Sequence, residues 1–190
     1  MEVLEIDKFD YVGNYAAYVQ LSNRIESVKL LKTHDYIRTI NVRIASSRCL
    51  GFFSHRDLRD IVVSLMQKGW LDDLDQFLKD KKLDKLAHTA ILYASNEDMN
   101  VFSYQELRND LRRAIERVSI ILGVNISEER VLSIYDRLSF EKTRYNLLNG
   151  EQRLDLGLHS GHIADGQTGK WRDILTQKQI KEINEILFDY

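Results

Sequence analysis

The stretch FFSHRDLRDIVVSLMQKGW, residues 52–70, predicts a strand that runs directly into a helix. The run CLGFFSH at its start is too short for an independent helix and is typical of a strand buried on both faces. Asp57 stands where a helix N-cap belongs, and Asp60 takes the place of the Glu or Gln of a capping box. From Leu58 onward the apolar residues have the spacing of one buried helix face.

The same alternation of strands and helices continues on both sides of this stretch. Further strands are predicted at residues 27–32 and at MNVFSY, residues 99–104. Helices are predicted over residues 71–95, with an interruption at KDKKLDK, and over residues 106–122, 128–138 and 176–188. Gly123 is the predicted C-cap of the helix that precedes it. Strands separated by helices imply parallel crossovers, so we expect an α/β fold whose parallel central sheet is flanked by helices.

The composition is that of an ordinary globular domain, so we expect a single domain over residues 1–190. The net charge of -2 gives no electrostatic reason for a nucleic-acid or anionic membrane partner. The single cysteine, Cys49, cannot form an internal disulfide, and the first residues lack the pattern of a signal peptide. We therefore expect a cytoplasmic protein. The histidines show no metal-ligand spacing, so no metal is expected.

Several polar residues follow the ends of the predicted strands, where ligands of α/β folds bind. These residues are Lys32, His34, Arg56 and Tyr104. Arg56 precedes a helix N-terminus, whose free amides and dipole favour an anion. Ser64 lies within that helix, and its hydroxyl could reach the same anion because helical side chains lean toward the N-terminus. The alternative is that Arg56 pairs with Asp60 or another carboxylate and that Ser64 merely tolerates burial.

The segment HRDLRDIVVSLM resembles the arginine-and-serine segment of the sulfotransferases that use 3'-phosphoadenosine 5'-phosphosulfate. The usual form in that family is R-N-P-x-D-x-x-x-S, and its Arg and Ser bind the 3'-phosphate. Arg56, Asp60 and Ser64 stand at matching positions, whereas Asp57 and Leu58 replace the usual Asn-Pro. The resemblance therefore implies that Arg56 and Ser64 bind the 3'-phosphate of this co-substrate.

Three further segments resemble motifs of the same family in the same order. LLKTHDY resembles its L-K-T-H strand end, which implies that His34 is the catalytic base and that Lys32 stabilises the transferring sulfuryl group. VFSYQELRND resembles the strand and Y-E-D-L helix whose Tyr approaches the adenine, which implies that role for Tyr104. RLSFEKTRYN resembles the segment whose Phe stacks on the adenine, which implies Phe140. The alternatives are a backbone-bonded histidine, a solvated lysine and two core aromatic residues.

The segment GQTGKWRDILTQKQIKEINEIL resembles the closing G-x-x-G-x-W motif and C-terminal helix of the family, with Trp171 expected in the core. The family's motif begins Arg-Lys-Gly and clamps the 3'-phosphate, but here Ala164 and Asp165 replace the two cations before Gly166. His162 and the amides around Gly166 and Gly169 are expected to compensate.

The phosphosulfate-binding loop of the family, P-K-S-G-T-T-W, has no counterpart in residues 1–24. The resemblance therefore implies a P-loop NTPase-like sulfotransferase fold that is truncated at its N-terminus. Two functions follow. The first is transfer of a sulfuryl group to a hydroxyl or amine of a small-molecule or glycan acceptor. The second is that of a non-catalytic remnant, which binds nucleotide or forms a homodimer or binds a partner chain at the open sheet edge.

Overall fold

A computed structural model describes residue 33, residues 35–150 and residues 166–188 of the chain. The strand predicted at residues 27–32 lies outside the described residues. In chain order the described elements are α1 (Arg38–Ala45), β1 (Gly51–His55), α2 (Leu58–Gln67), α3 (Leu74–Lys79), α4 (Lys82–Ala94), β2 (Met99–Ser103), α5 (Tyr104–Asn109), α6 (Leu111–Ile121), α7 (Glu128–Leu138), α8 (Phe140–Leu148), α9 (Trp171–Ile174) and α10 (Gln177–Phe188).

Strands β1 and β2 are parallel neighbours, with α2, α3 and α4 in the connection between them. This arrangement confirms the predicted α/β fold. The register pairs Gly51 with Met99 and His55 with Ser103, so the two strands end at the same level. Arg56 and Tyr104, which follow these last residues, therefore leave the sheet side by side at its carboxyl edge.

The main core cluster joins α2, α3 and α4 to the last two helices. Its buried residues are Leu58, Val62, Val63, Leu74, Leu83, Ala87, Trp171, Leu175 and Ile183. Trp171 is 9% exposed, which confirms its predicted place in the core. Burial of this apolar surface fixes α9 and α10 against α2, and it brings the loop before α9 to the start of α2.

Helix α2 begins at Leu58 as predicted, because the Asp57 side chain accepts a hydrogen bond from the Arg59 amide at 2.9 Å. The predicted capping box is wrong. Asp60, which is 3% exposed, accepts two hydrogen bonds from the amide of Gly169 at 2.9 and 2.8 Å. Its carboxylate therefore joins α2 to the loop before α9.

Most of the other helices that were predicted from the sequence lie close to their predicted bounds. Helix α7 has the predicted bounds, and Lys81, with a φ of 52°, separates α3 from α4 at the predicted interruption. The helix predicted over residues 106–122 is two helices, because Asp110 ends α5 and caps α6 by accepting from the Arg113 amide at 3.2 Å. Helices α1, α8 and α9 were not predicted. Among the described helices, none has the length and apolar content needed to span a membrane.

Candidate functional site

Arg56 lies at the carboxyl end of β1 and contacts the loop before α9. Its Nη2 donates to the carbonyl oxygen of Gln167 at 2.6 Å, and its Cζ lies 4.3 Å from the centroid of the Tyr104 ring. Its Nε is buried and has no hydrogen-bond partner among the described residues. Among the described residues Arg56 forms no ion pair with Asp60 or another carboxylate, which was the predicted alternative, and the Asp60 carboxylate accepts from the Gly169 amide.

Tyr104 is the first residue of α5 and not, as predicted, the last residue of a strand. The Ser103 side chain caps this helix by accepting from the Glu106 amide at 3.0 Å. The half-buried Tyr104 has one ring face under Arg56, and its hydroxyl donates to the Gly166 carbonyl oxygen at 3.3 Å. Tyr104 therefore joins the carboxyl edge of the sheet to the loop before α9.

That loop, residues 166–170, contains two glycines with positive φ, 70° at Gly166 and 80° at Gly169. A Cβ at Gly166 would lie 2.6 Å from Cζ of Phe140 and 3.1 Å from Nε of Arg108. Both the backbone conformation and the close approach of the phenyl ring therefore require glycine at this position. The Gly169 amide is held by Asp60, which fixes the loop against α2.

Phe140 begins α8, and one face of its ring is covered by Arg108 of α5. The Cζ of Arg108 lies 4.0 Å from the ring centroid, and its Nη2 lies 3.0 Å from Oε1 of Glu141. The Nε of Arg108, like that of Arg56, is buried and finds no partner in the part of the chain that the structure describes. Arg108 was missed by the sequence analysis. Its spacing of four residues from Tyr104, which places both on one face of α5, was the available signal.

Ser64 lies on α2 one turn beyond Asp60, and Lys68 follows one turn later on the same face. Ser64 is half-buried. Burial lowers the pKa of the Lys68 amine, and the positive charge of Arg56 lowers that pKa further.

Three of the predicted site residues, Lys32, His34 and His162, lie outside the described residues. The described residues that the structure brings together are Arg56, Tyr104, Gly166 and Phe140, with Arg108 as an unpredicted fifth. In the described ranges, no group of three His, Cys, Asp or Glu side chains is placed to hold a metal ion. Two guanidinium groups, a phenol and a phenyl ring thus surround one glycine-containing loop, an arrangement suited to a ligand that carries both an anion and a planar ring.

Comparison with known proteins identifies one family. The model of the sulfotransferase domain matches residues 2–188. Mouse sulfotransferase 2B1 is 24% identical over 179 residues, which cover 84% of this chain and 53% of that protein. Cytosolic sulfotransferase 12 of Arabidopsis thaliana is 24% identical over 183 residues, which cover 86% of this chain and 56% of that protein. The chain therefore spans about half the length of these two relatives.

Solved structures show the same fold. Mouse sulfotransferase SULT7A1 in complex with PAP has a TM-score of 0.72 and 17% identity, and the match covers 94% of this chain and 70% of that one. Retinol dehydratase in complex with androsterone and inactive cofactor PAP has a TM-score of 0.65 and 20% identity, and covers 90% of this chain and 55% of that one. The described α/β architecture is therefore part of the P-loop NTPase-like fold of these proteins.

Proposed function

The chain belongs to the sulfotransferase domain family, and from this premise we propose that it transfers a sulfuryl group from 3'-phosphoadenosine 5'-phosphosulfate to a hydroxyl or amine acceptor. The acceptor class that we propose is a small molecule or a glycan. One observation carries this proposal. Arg56 leaves β1 beside the N-terminus of α2, with a buried Nε that has no hydrogen-bond partner among the described residues.

The 3'-phosphate fits beside Arg56. A buried guanidinium N–H without a partner is costly, and a phosphate oxygen would satisfy it with a charge-assisted hydrogen bond. The N-terminus of α2 adds amides and a favourable dipole. In our proposal the Ser64 hydroxyl adds a neutral donor, and His162 adds another ligand.

The adenine fits beside Tyr104 and Phe140. Both rings are half-buried and both contact Gly166, so a planar base can lie against the same loop that borders the phosphate. One face of Phe140 is covered by Arg108, so stacking on this ring uses its other face. Because the Gly169 amide is bound to Asp60, we propose that Gly169 positions the loop while the neighbouring amides face the anion.

The chemistry that we propose for His34 and Lys32 follows from the charge changes of the reaction. The acceptor oxygen or nitrogen attacks sulfur, the bond from sulfur to the phosphate oxygen breaks, and adenosine 3',5'-bisphosphate leaves. His34 accepts the proton that the acceptor loses, as a histidine near neutral pH can. Lys32 stabilises the negative charge on the transferring group, which is where most of the rate enhancement of such reactions arises.

The family relation also supports two narrower proposals. The relatives include a protein named as a cytosolic sulfotransferase, which supports a cytoplasmic location for this chain. PAP, the ligand named for two structural neighbours, is adenosine 3',5'-bisphosphate, and its presence there supports the 3'-phosphoadenosine co-substrate. The homodimer or partner chain at the sheet edge and the single domain over residues 1–190 remain predictions.

Substitution of Arg56 tests the proposed function. We expect Arg56→Ala to weaken binding of adenosine 3',5'-bisphosphate by roughly 10- to 150-fold, because a charge-assisted hydrogen bond is lost. Binding of adenosine 5'-monophosphate, which lacks the 3'-phosphate, should change little. Isothermal titration calorimetry with the two nucleotides measures the difference, and Arg38→Ala in α1 is the control for loss of an exposed arginine.

The companion variant His34→Ala separates binding from chemistry. It should bind the bisphosphate as the unsubstituted chain does, while sulfuryl transfer from a radiolabelled donor falls by roughly 10²- to 10⁴-fold because the base is lost. Equal losses of the two nucleotides in Arg56→Ala would remove the 3'-phosphate assignment. Full turnover by His34→Ala would remove the assignment of the base.

A further inference from the structure

We infer that Arg108 is a second guanidinium ligand of the anion that Arg56 binds. This inference rests on the proposed function and adds a residue that the sequence motifs do not assign. In the resemblance to the family, the two cations of the closing motif are replaced by Ala164 and Asp165. Arg108 comes from a different element, the last turn of α5, and supplies one positive charge to the same loop.

The first support is the position of Arg108 against the loop. Its Nε lies 3.1 Å from the position that a Cβ at Gly166 would occupy, and Arg56 donates to the carbonyl oxygen of the next residue, Gln167, at 2.6 Å. The two guanidinium groups therefore contact consecutive residues of one loop. Tyr104 lies under Arg56, and its hydroxyl bonds to Gly166, so the two arginines belong to one continuous cluster.

The second support is that Arg56 and Arg108 each have a buried Nε without a hydrogen-bond partner among the described residues. Buried side-chain nitrogens without a hydrogen-bond partner occur, within the described ranges, at Nε of Arg56 and Nε of Arg108. Native structures satisfy nearly all buried polar groups, so two such donors at one loop indicate that something binds there. A guanidinium has donors and no acceptor, so the missing partner must supply acceptor atoms.

The third support is the balance of charge around the loop. Arg56 and Arg108 bring two positive charges to this loop, Arg56 through its bond to Gln167 and Arg108 through its approach to Gly166. Asp60 brings one negative charge to the other end of the loop, at Gly169, and Glu141, which pairs with Arg108, is 70% exposed. An exposed ion pair compensates little, so the charge of Arg108 remains available to an anion at this loop.

A purely structural explanation makes a different prediction. If Arg108 only anchors the Phe140 ring through its contact at 4.0 Å, it affects the position of the base and not the phosphate. Its loss would then weaken every adenosine nucleotide by the same factor. If Arg108 binds the anion, its loss weakens the nucleotide with the 3'-phosphate more.

The experiment compares Arg108→Ala, Arg108→Lys and the control Arg112→Ala by calorimetry with adenosine 3',5'-bisphosphate and adenosine 5'-monophosphate. Arg112 is a half-exposed arginine of α6 that pairs with Glu116 and Glu128. We expect Arg108→Ala to lose about tenfold or more in affinity for the bisphosphate and clearly less for the monophosphate. Arg108→Lys should recover part of the loss because it keeps the charge without the planar fork. Arg112→Ala should bind both nucleotides as the unsubstituted chain does.

Two outcomes would overturn the inference: an equal loss for both nucleotides in Arg108→Ala, or no loss for either. Phe140→Leu, which removes the ring and keeps Arg108, gives the pattern expected when only the base contact is lost. Thermal unfolding of each variant identifies any that fail to fold, and Arg108→Lys keeps the comparison available in that case. The proposed function fails separately, when Arg56→Ala itself does not distinguish the two nucleotides.

Discussion

The start of α2 and the sheet edge beside it differ in whether their buried polar groups have hydrogen-bond partners. At the start of α2, Asp57 accepts from the amide and guanidinium of Arg59, and Asp60 accepts from the amide of Gly169. At the sheet edge, Arg56 and Arg108 each keep a buried Nε with no partner among the described residues. The first region has its hydrogen bonds within the protein, and the second has two buried donors without a partner among the described residues.

This difference separates stability from binding. A satisfied buried carboxylate stabilises the fold, whereas a buried donor without a partner costs about 1 to 3 kcal/mol until a ligand satisfies it. Natural proteins accept such costs mainly at functional sites. Substitutions at the start of α2 should therefore change the free energy of unfolding, and substitutions at the sheet edge should change nucleotide affinity.

The largest effect on stability is expected for Asp60→Ala. Removal of this 3%-exposed carboxylate leaves the Gly169 amide without its acceptor, and loss of a hydrogen bond to a charged group costs about 1.5 to 3 kcal/mol. Urea unfolding should show this decrease in the free energy of unfolding. The control Asp98→Ala removes an exposed carboxylate and should stay within about 0.5 kcal/mol. A loss as small for Asp60 would mean that its contact to the loop adds no stability.

An intermediate effect on stability is expected for Gly166→Ala, and Gly123→Ala is its matched control. Both glycines have positive φ, 70° and 66°, so alanine at either position costs about 1 kcal/mol of backbone strain. A Cβ at Gly123 meets nothing within 4 Å, whereas one at Gly166 would lie 2.6 Å from the Phe140 ring. Gly166→Ala should therefore be the less stable variant and should also lose nucleotide affinity, while Gly123→Ala binds normally. Equal binding by the two variants would contradict the place of Gly166 in the site.

The sequence predicted those features of the two regions that depend on residues close together in the chain. The Asp57 cap and the start of α2 follow from residues next to one another, and the parallel strands place Arg56 and Tyr104 at one edge once the α/β order is known. The family motifs then named Phe140 and Gly166, which the structure brings next to each other and to Arg108. Which of these residues bind the nucleotide remains a proposal.

The features that the sequence did not predict depend on contacts between distant residues. Asp60 has the spacing of a capping box, but its partner, Gly169, lies 109 positions away in the chain. Arg108 became a site residue only when α8 and the loop before α9 packed beside α5. The break at Asp110 was hidden because the apolar positions on both sides continue one helix face, while the Asp110 side chain caps α6.

The smallest effect on the free energy of unfolding is expected for substitution of Asp57, and this effect should depend on pH. Burial alone would raise the pKa of this carboxyl, but the hydrogen bonds from the Arg59 side chain and amide and the charge of Arg59 outweigh it, so the pKa is lowered. A carboxyl with a lowered pKa in the folded state stabilises the fold above its unfolded pKa of about 3.9, and this contribution is lost as pH falls through the folded value.

Asp57→Ala should therefore lower the free energy of unfolding by about 1 kcal/mol at pH 7, since both the cap and the ion pair are lost. The difference from the unsubstituted chain should shrink as the pH falls from about 3.9 through the lower folded-state pKa, below which the Asp57 carboxyl is protonated in both states. Asp57→Asn keeps the capping oxygen and removes the charge, so it should lose less than Asp57→Ala at neutral pH, because asparagine caps as well as aspartate. Urea unfolding of the three proteins at neutral and acid pH measures these differences. If the gap between Asp57→Ala and the unsubstituted chain is the same at both pH values, the ion pair with Arg59 contributes nothing and the cap alone stabilises the start of α2.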